Sequence, residues 1–294
     1  MAKKSYIGKS YTGSILKTLS YSAVFRYPLS YPQLSNYLIG DPRKRQNYEM
    51  FRKDVSQLIR EKKIRVKKGK LVLSGVRTTV DWEARQKTSQ QVIVRNAKVF
   101  EALESIPWIK LLGVTGSVAT YNATTSSDID LFIIAQKNRV WVTRAFVFLM
   151  LKVLGKYPYK GMDAEKFCPN IYLDERALAW KKDRQSIYTA HELMYMQPLV
   201  DRGNTYFKFM KANRWVFKYF SNFKINTPKK FSEKYTKGSK VVDLVDEIGM
   251  RLQLAYMKKK KTTEVTTKHF IHFNKYDHSK KILSEFEKNW KKVA

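Results

Sequence analysis

The residues best suited to chemistry lie in one stretch, GSVATYNATTSSDIDLFI, from Gly116 to Ile133. Gly116-Ser117 follow the apolar run Ile109–Val114, so the chain leaves a strand and enters a helix at that point. Backbone N–H groups and the positive helix end then face whatever sits above the turn, a geometry that holds phosphates. Asp128 and Asp130 stand two apart at the start of a second apolar run. On a strand, that spacing sends both carboxylates to one face, at a separation that lets them share divalent cations. Mg²⁺, or Mn²⁺ in its place, takes hard oxygen ligands and few of them from protein. Two carboxylates beside a phosphate-binding turn are the start of a phosphoryl-transfer site, where one ion activates a hydroxyl and another neutralises a triphosphate.

The charge of the whole chain narrows the substrate. In 294 residues, 57 Lys+Arg against 25 Asp+Glu leave +32. The excess is +14 over residues 1–80, +4 over 81–204 and +14 over 205–294, so acid is gathered in the middle and both flanks are basic. Such a field draws polyphosphates and argues against a small neutral partner. Cys168 is the one cysteine, which excludes an intramolecular disulfide and a Cys-rich zinc site and fits a reducing, cytoplasmic setting. The N-terminus, MAKKSYIGKSYTGSILKTL, lacks the apolar core of a secretory signal. The most apolar run, Ala145–Leu151, is far too short to span a membrane, so no membrane partner is expected.

The elements that must position the site follow from periodicity. Ile15, Leu16, Leu19 and Ala23 recur at helical spacing until Pro28; Ser30 opens a short helix through Leu38; a third helix runs from Arg45 to about Lys63. IRVKKGKLVL, Ile64–Leu73, alternates apolar and charged residues about Lys68-Gly69 and predicts a tight hairpin. Three helices and a basic hairpin make a winged helix-turn-helix pattern. A long connector helix is expected from Val80 to Ser105, then strands at Ile109–Val114, Asp128–Ile134 and around Ile171–Leu173, with Arg139–Leu154 as an internal crossover helix. After Asp201 the chain reads as helical, with amphipathic stretches near Tyr206–Phe220 and Val241–Met257. The expected class is α+β: a winged helix over 1–79, a core of small mixed sheet and helices over 80–203, and a basic helical region over 204–294.

Gly116-Ser117, ten intervening residues and Asp128-Ile129-Asp130-Leu131 resemble the signature of the DNA polymerase beta-like nucleotidyltransferase superfamily. SYSAVFRYPLS, FCPNIYL, YTAHELMYMQPL and ANRWVF look like landmarks of bacterial nucleotidyltransferase-domain proteins with an N-terminal winged helix, though they are less specific than the aspartate motif. The resemblance implies transfer of a nucleoside monophosphate from an NTP to a hydroxyl, with Mg²⁺ and release of pyrophosphate. It assigns metal binding to Asp128 and Asp130 and the triphosphate to Gly116 and Ser117. Superfamily members usually add a third carboxylate on a later strand. Along CPNIYLDE one face carries Asn170, Tyr172 and Asp174. Asp174 is the expected third acid, able to act as a base; Asn170 in that position would leave a site that binds nucleotide without efficient turnover.

Other residues carry weaker signals. Arg144 in an apolar helix should meet an anion, an internal carboxylate or a triphosphate. His191-Glu192 is half of a zinc-protease helix, but Tyr195 stands where the second histidine belongs. Arg43, Lys44, Arg45, Arg52 and Lys53, with Arg65, Lys67, Lys68 and Lys70 on the hairpin, suit a duplex groove and its backbone. Lys208, Lys211, Arg214, Trp215 and Lys218 suggest a basic face with an indole for base stacking, or a tryptophan tucked against its neighbours. The leading expectation is a transferase acting on nucleic acid, RNA or DNA. A degenerate nucleic-acid-binding relative, and transfer to a protein or small molecule, are the alternatives.

Overall fold

The computed structural model describes residues 10–40, 47–78, 81–158, 164–225, 239–258, 265–273 and 278–294. The chain is α+β and divides into two compact units. One holds residues up to Trp82 together with Trp215–Lys224 and His278–Ala294; the other holds Glu83–Arg214 and Ile225–Asp277. The residues after Asp201, expected as one region, therefore contribute to both. Among the described residues no helix is long and apolar enough to cross a membrane.

In the first unit, helices α1 (Thr12–Val24), α2 (Tyr31–Asn36) and α3 (Tyr48–Arg60) precede strands β1 (Ile64–Lys67) and β2 (Lys70–Leu73). Helix α2 starts at a capping box: Ser30 Oγ accepts from Gln33 N at 3.3 Å and Gln33 Oε1 accepts from Ser30 N at 2.8 Å. Helix α3 begins later than its pattern suggests, because Asn47 caps the N–H groups of Glu49 and Met50. Lys68 and Gly69 both take positive φ, 44° and 72°, and turn β1 into antiparallel β2 as the sequence predicts. Ile15, Leu19, Leu34, Phe51, Val55 and Leu73 form the core. The C-terminal helix His278–Lys291 packs on α1, with Phe286 edge-on to Tyr21 at 5.4 Å.

The connector is two helices, α4 (Trp82–Arg95) and α5 (Ala97–Glu104). Asn96 breaks it: its Nδ2 donates back to Val92 O at 2.9 Å, a local bond that competes with helix continuation. The second unit continues with β3 (Ile109–Thr115), the single turn α6 (Gly116–Ala119), β4 (Ile129–Ala135), α7 (Val140–Val153), β5 (Phe167–Asp174), α8 (Ile187–Tyr195), β6 (Gln197–Asp201), α9 (Thr205–Ala212), α10 (Lys240–Met257), β7 (Val265–Thr266) and β8 (Phe270–His272). These strands make one mixed sheet in the order β6-β3-β4-β5-β8-β7, in which only β4 and β5 run parallel.

A parallel pair needs a crossover, and α7 supplies it. It is less internal than its composition suggests: Val140, Trp141, Val147 and Leu151 are buried, while Phe146, Leu149 and Val153 are exposed. Two of its outward rings find partners, Phe146 on Trp108 at 5.3 Å and Phe148 on Tyr157 at 4.8 Å. The expected Tyr206–Phe220 helix is α9 followed by the 3₁₀ turn Arg214–Lys218, and Trp215 is buried, so its indole is no stacking platform.

Candidate active site

Register brings the motif together. Thr115, the last residue of β3, lies opposite Asp130 of β4, so the chain leaves the sheet at Gly116 directly beside that carboxylate. Gly116 has φ +66°, and a Cβ there would run into the Asp130 carboxyl group. Glycine is therefore required twice over, by backbone conformation and by close approach. Asp128 lies just before β4 and is near enough for its charge to act on Asp130. Ser117 follows Gly116 within α6.

On the other flank of β4, Cys168 of β5 lies opposite Asp130 and Pro169 opposite Leu131; the register then slips, so that Phe132 faces Ile171. Pro169 has no N–H to give the ladder, which makes a bulge here intelligible. The extra residue is Asn170, and its Nδ2 donates to Asp130 Oδ1. Asp174 lies at the opposite end of β5, paired with Ala135, five residues or about 16 Å along the strand from Asp130. It is fully buried; Oδ2 accepts from Asn138 N at 2.8 Å and faces His269 Nδ1 at 2.8 Å, and Oδ1 accepts from Arg176 N at 2.9 Å. Asn170, not Asp174, stands beside the aspartate pair.

A residue absent from the sequence expectation completes the cluster. Glu192 on α8 comes near enough for the Gly116 backbone to act on its carboxyl and for its own charge to act on Asp130. The topology explains its arrival: β6 pairs antiparallel with β3 from Gln197 opposite Val114, so α8, just before β6, ends over the turn. Gly113 lets it sit close, since a Cβ there would meet Met196 Sδ at 2.7 Å. Gln197 Nε2 adds a bond to Ala119 O at 2.7 Å. The signal was present in sequence, because a glutamate within the apolar helix YTAHELMYM must find a buried partner.

Asp130 and Glu192 have protein on most sides yet keep some surface in contact with water. Burial first, then the charges of Asp128 and Glu192, push the Asp130 carboxyl up to about 7 against the pull of the Asn170 amide. Burial pushes Glu192 up to about 7 as well, opposed by the Gly116 N–H. A raised carboxyl holds its proton in the folded protein where the unfolded chain has lost it, so it costs stability as pH rises from about 4 to about 7. Asp130→Asn removes that cost. In EDTA, its stability relative to wild type should improve by about 2–4 kcal/mol between pH 4.5 and pH 8, read from denaturant unfolding at each pH. A pH-independent difference would refute the burial argument.

Among the described residues no three His, Cys, Asp or Glu side chains form a metal-holding group. The donor set present is two carboxylates with hard oxygens. That suits a magnesium ion, which keeps several waters and takes one or two carboxylates plus phosphate oxygens, better than a preformed cage. The remaining candidates lie elsewhere. Arg144 binds the Gln253 amide oxygen and stacks on Phe273 at 5.0 Å, neutral partners rather than the expected anion. His191 packs on Tyr195 with ring centroids 4.4 Å apart, and burial pushes its imidazole down to about 3. Arg43, Lys44 and Arg45 fall outside the described residues. Against protein-family models, curated proteins and solved structures, the chain gives no match.

Proposed function

We propose that the protein is a Mg²⁺-dependent nucleotidyltransferase that moves a nucleoside monophosphate from an NTP to a hydroxyl on a nucleic acid. The observation that carries this reading is the convergence of Gly116 with Asp130 and Asp128 at one end of the sheet, which the β3–β4 register produces. Asp128 and Asp130 would hold the ion, and Ser117 and the turn would hold the triphosphate. Bound magnesium would neutralise the departing pyrophosphate and make the acceptor hydroxyl more acidic. The chain's own residues fix geometry: Gly116 brings the turn against Asp130, and the Asn170 amide fixes one Asp130 oxygen.

The first unit supports a nucleic-acid acceptor, read as a winged helix. On α3, Arg52, Lys53 and Arg60 are exposed while Phe51, Val55 and Leu58 face the core; Arg65 on β1 is also exposed. Lys70 lies over Tyr27 at 5.0 Å and, with Lys68, over Trp82 at 5.7 and 5.8 Å, so these two hairpin cations are held close to the domain surface. Purified protein incubated with each labelled NTP, Mg²⁺ or Mn²⁺ and short RNA or DNA should extend or tag one acceptor. No labelled product with any acceptor, including protein and small molecules from cell extract, refutes the reading.

The neutral Asn170 beside Asp130 favours one second reading, a degenerate core that binds nucleic acid without turnover. Binding would then persist in EDTA and weaken steeply with salt.

A further inference from the structure

We propose that the outward face of α10 pairs two copies of this chain, antiparallel to each other across a two-fold axis near Gly249. The pairing is independent of the transferase reading.

The helix has two working faces. Its inner one holds it to α7: Asp246 Oδ1 accepts from Val142 N at 2.8 Å, Gln253 Nε2 donates to Trp141 O at 3.0 Å, and Met257 is buried. On the outer one Val241, Leu244, Val245, Ile248, Leu252 and Tyr256 are between 47% and 70% exposed. Steps of three and four residues line them up in one stripe, the seam by which helices pack on one another. The stripe offers on the order of 600 Å² of apolar surface, and Phe146, Leu149 and Val153, exposed on the neighbouring α7, bring the total to roughly 900 Å². The largest apolar patch of a typical monomer is about 300–600 Å², whereas a stable interface takes about 800 Å² from each partner.

Three features select a second copy as the occupant. The stripe is its own complement: an antiparallel copy, turned about the midpoint of Ile248 and Gly249, sets Val245 opposite Leu252 and Val241 opposite Tyr256. Gly249 adds no side chain at the axis. The same turn sets Glu247 of one copy beside Arg251 of the other. These two already pair within the chain at 3.0 Å, so four charges of alternating sign surround the axis. Helix α10 also carries three acids and two bases in a chain of +32, so two copies meet here with less repulsion than the rest of the chain imposes. An anionic membrane or a nucleic acid would call for a basic border, and this border is balanced.

The test is sedimentation of the nuclease-treated full chain at about 0.5 M salt, where nucleic acid cannot bridge two copies. Wild type should run at twice the chain mass at tens of micromolar. Ile248→Glu sets two carboxylates against each other at the axis and should weaken the dimer at least about a hundredfold, leaving a monomer that is folded by circular dichroism. Leu252→Glu, at another exposed position, gives the same reading if the first variant does not fold. Orientation is read by oxidative cross-linking, with wild type, which keeps Cys168, as the control. Gly249→Cys should join to its own counterpart at the axis, and Val241→Cys, more than about 20 Å along the helix pair from its counterpart, should not. A wild type that stays monomeric overturns the proposal, whether or not it binds lipid vesicles. So does a dimer that survives both glutamates, or one that cross-links through Val241→Cys alone.

Discussion

Asp130→Asn is expected to lower nucleotidyl transfer by at least about 10³-fold while the protein stays folded and, above pH 7, becomes more stable than wild type. The substitution is nearly isosteric, so the contact with Gly116 survives. What changes is charge and hydrogen-bond polarity. One oxygen becomes an NH₂ group, and where it faces the Asn170 amide two donors meet, so one side chain must turn. The variant loses the anion that attracts magnesium and gains nothing that could replace it. Single-turnover assays at saturating NTP, with unfolding measured in parallel, give the answer. Activity within about threefold of wild type, in a variant that melts normally, would end the assignment of Asp130 to the reaction. Asp128→Asn should show the same loss of transfer, since it too removes a carboxylate assigned to the ion.

The parts of this molecule legible in sequence are those decided locally. The Lys68-Gly69 hairpin, the Gly-Ser turn and the strands carrying Leu112 and Ile133 depend on short-range periodicity and turn chemistry, and the structure has them where the pattern puts them. Strands β6, β7 and β8 were not legible. Two of them are edge strands of at most five residues, and β8 has three, too few for alternation to register. The break at Asn96 depends on one side chain bonding back to Val92. At the site, the motif gave Gly116, Asp128 and Asp130, whereas the third position could not be settled by counting along β5. A bulge after Pro169 shifts the face that each residue occupies, so Asn170 and Asp174 cannot be compared as neighbours on one face. Helix α8, which carries Glu192, comes near the Gly116 turn only because β6 pairs beside β3, a contact between segments more than seventy residues apart. The C-terminal basic stretch divides for the same reason, since long-range contacts assign α10 to the second unit and the helix His278–Lys291 to the first.

Asp174→Asn should separate the two candidates for the third acid most sharply. In the structure this carboxylate is a strut. Without exposure to water it collects the backbone N–H groups of Asn138, at the approach to α7, and Arg176, after β5, and it pairs with His269 ahead of β8. An asparagine offers one acceptor oxygen where three donors converge, and its NH₂ group must face at least one of them. Leaving a buried donor unpaired and breaking an enclosed His–Asp pair together cost about 2–4 kcal/mol, which for a chain of this size lowers Tm by roughly 5–15 °C. Transfer measured well below that melting point should stay within about threefold of wild type, because the residue lies about 16 Å along the sheet from Asp130. The opposite pattern, an unchanged Tm with transfer down a hundredfold or more, would mean that Asp174 reaches the reacting groups after all. The strand acid suggested by the sequence would then be restored to the reaction, and Glu192 and Asn170 would be left with structural work alone.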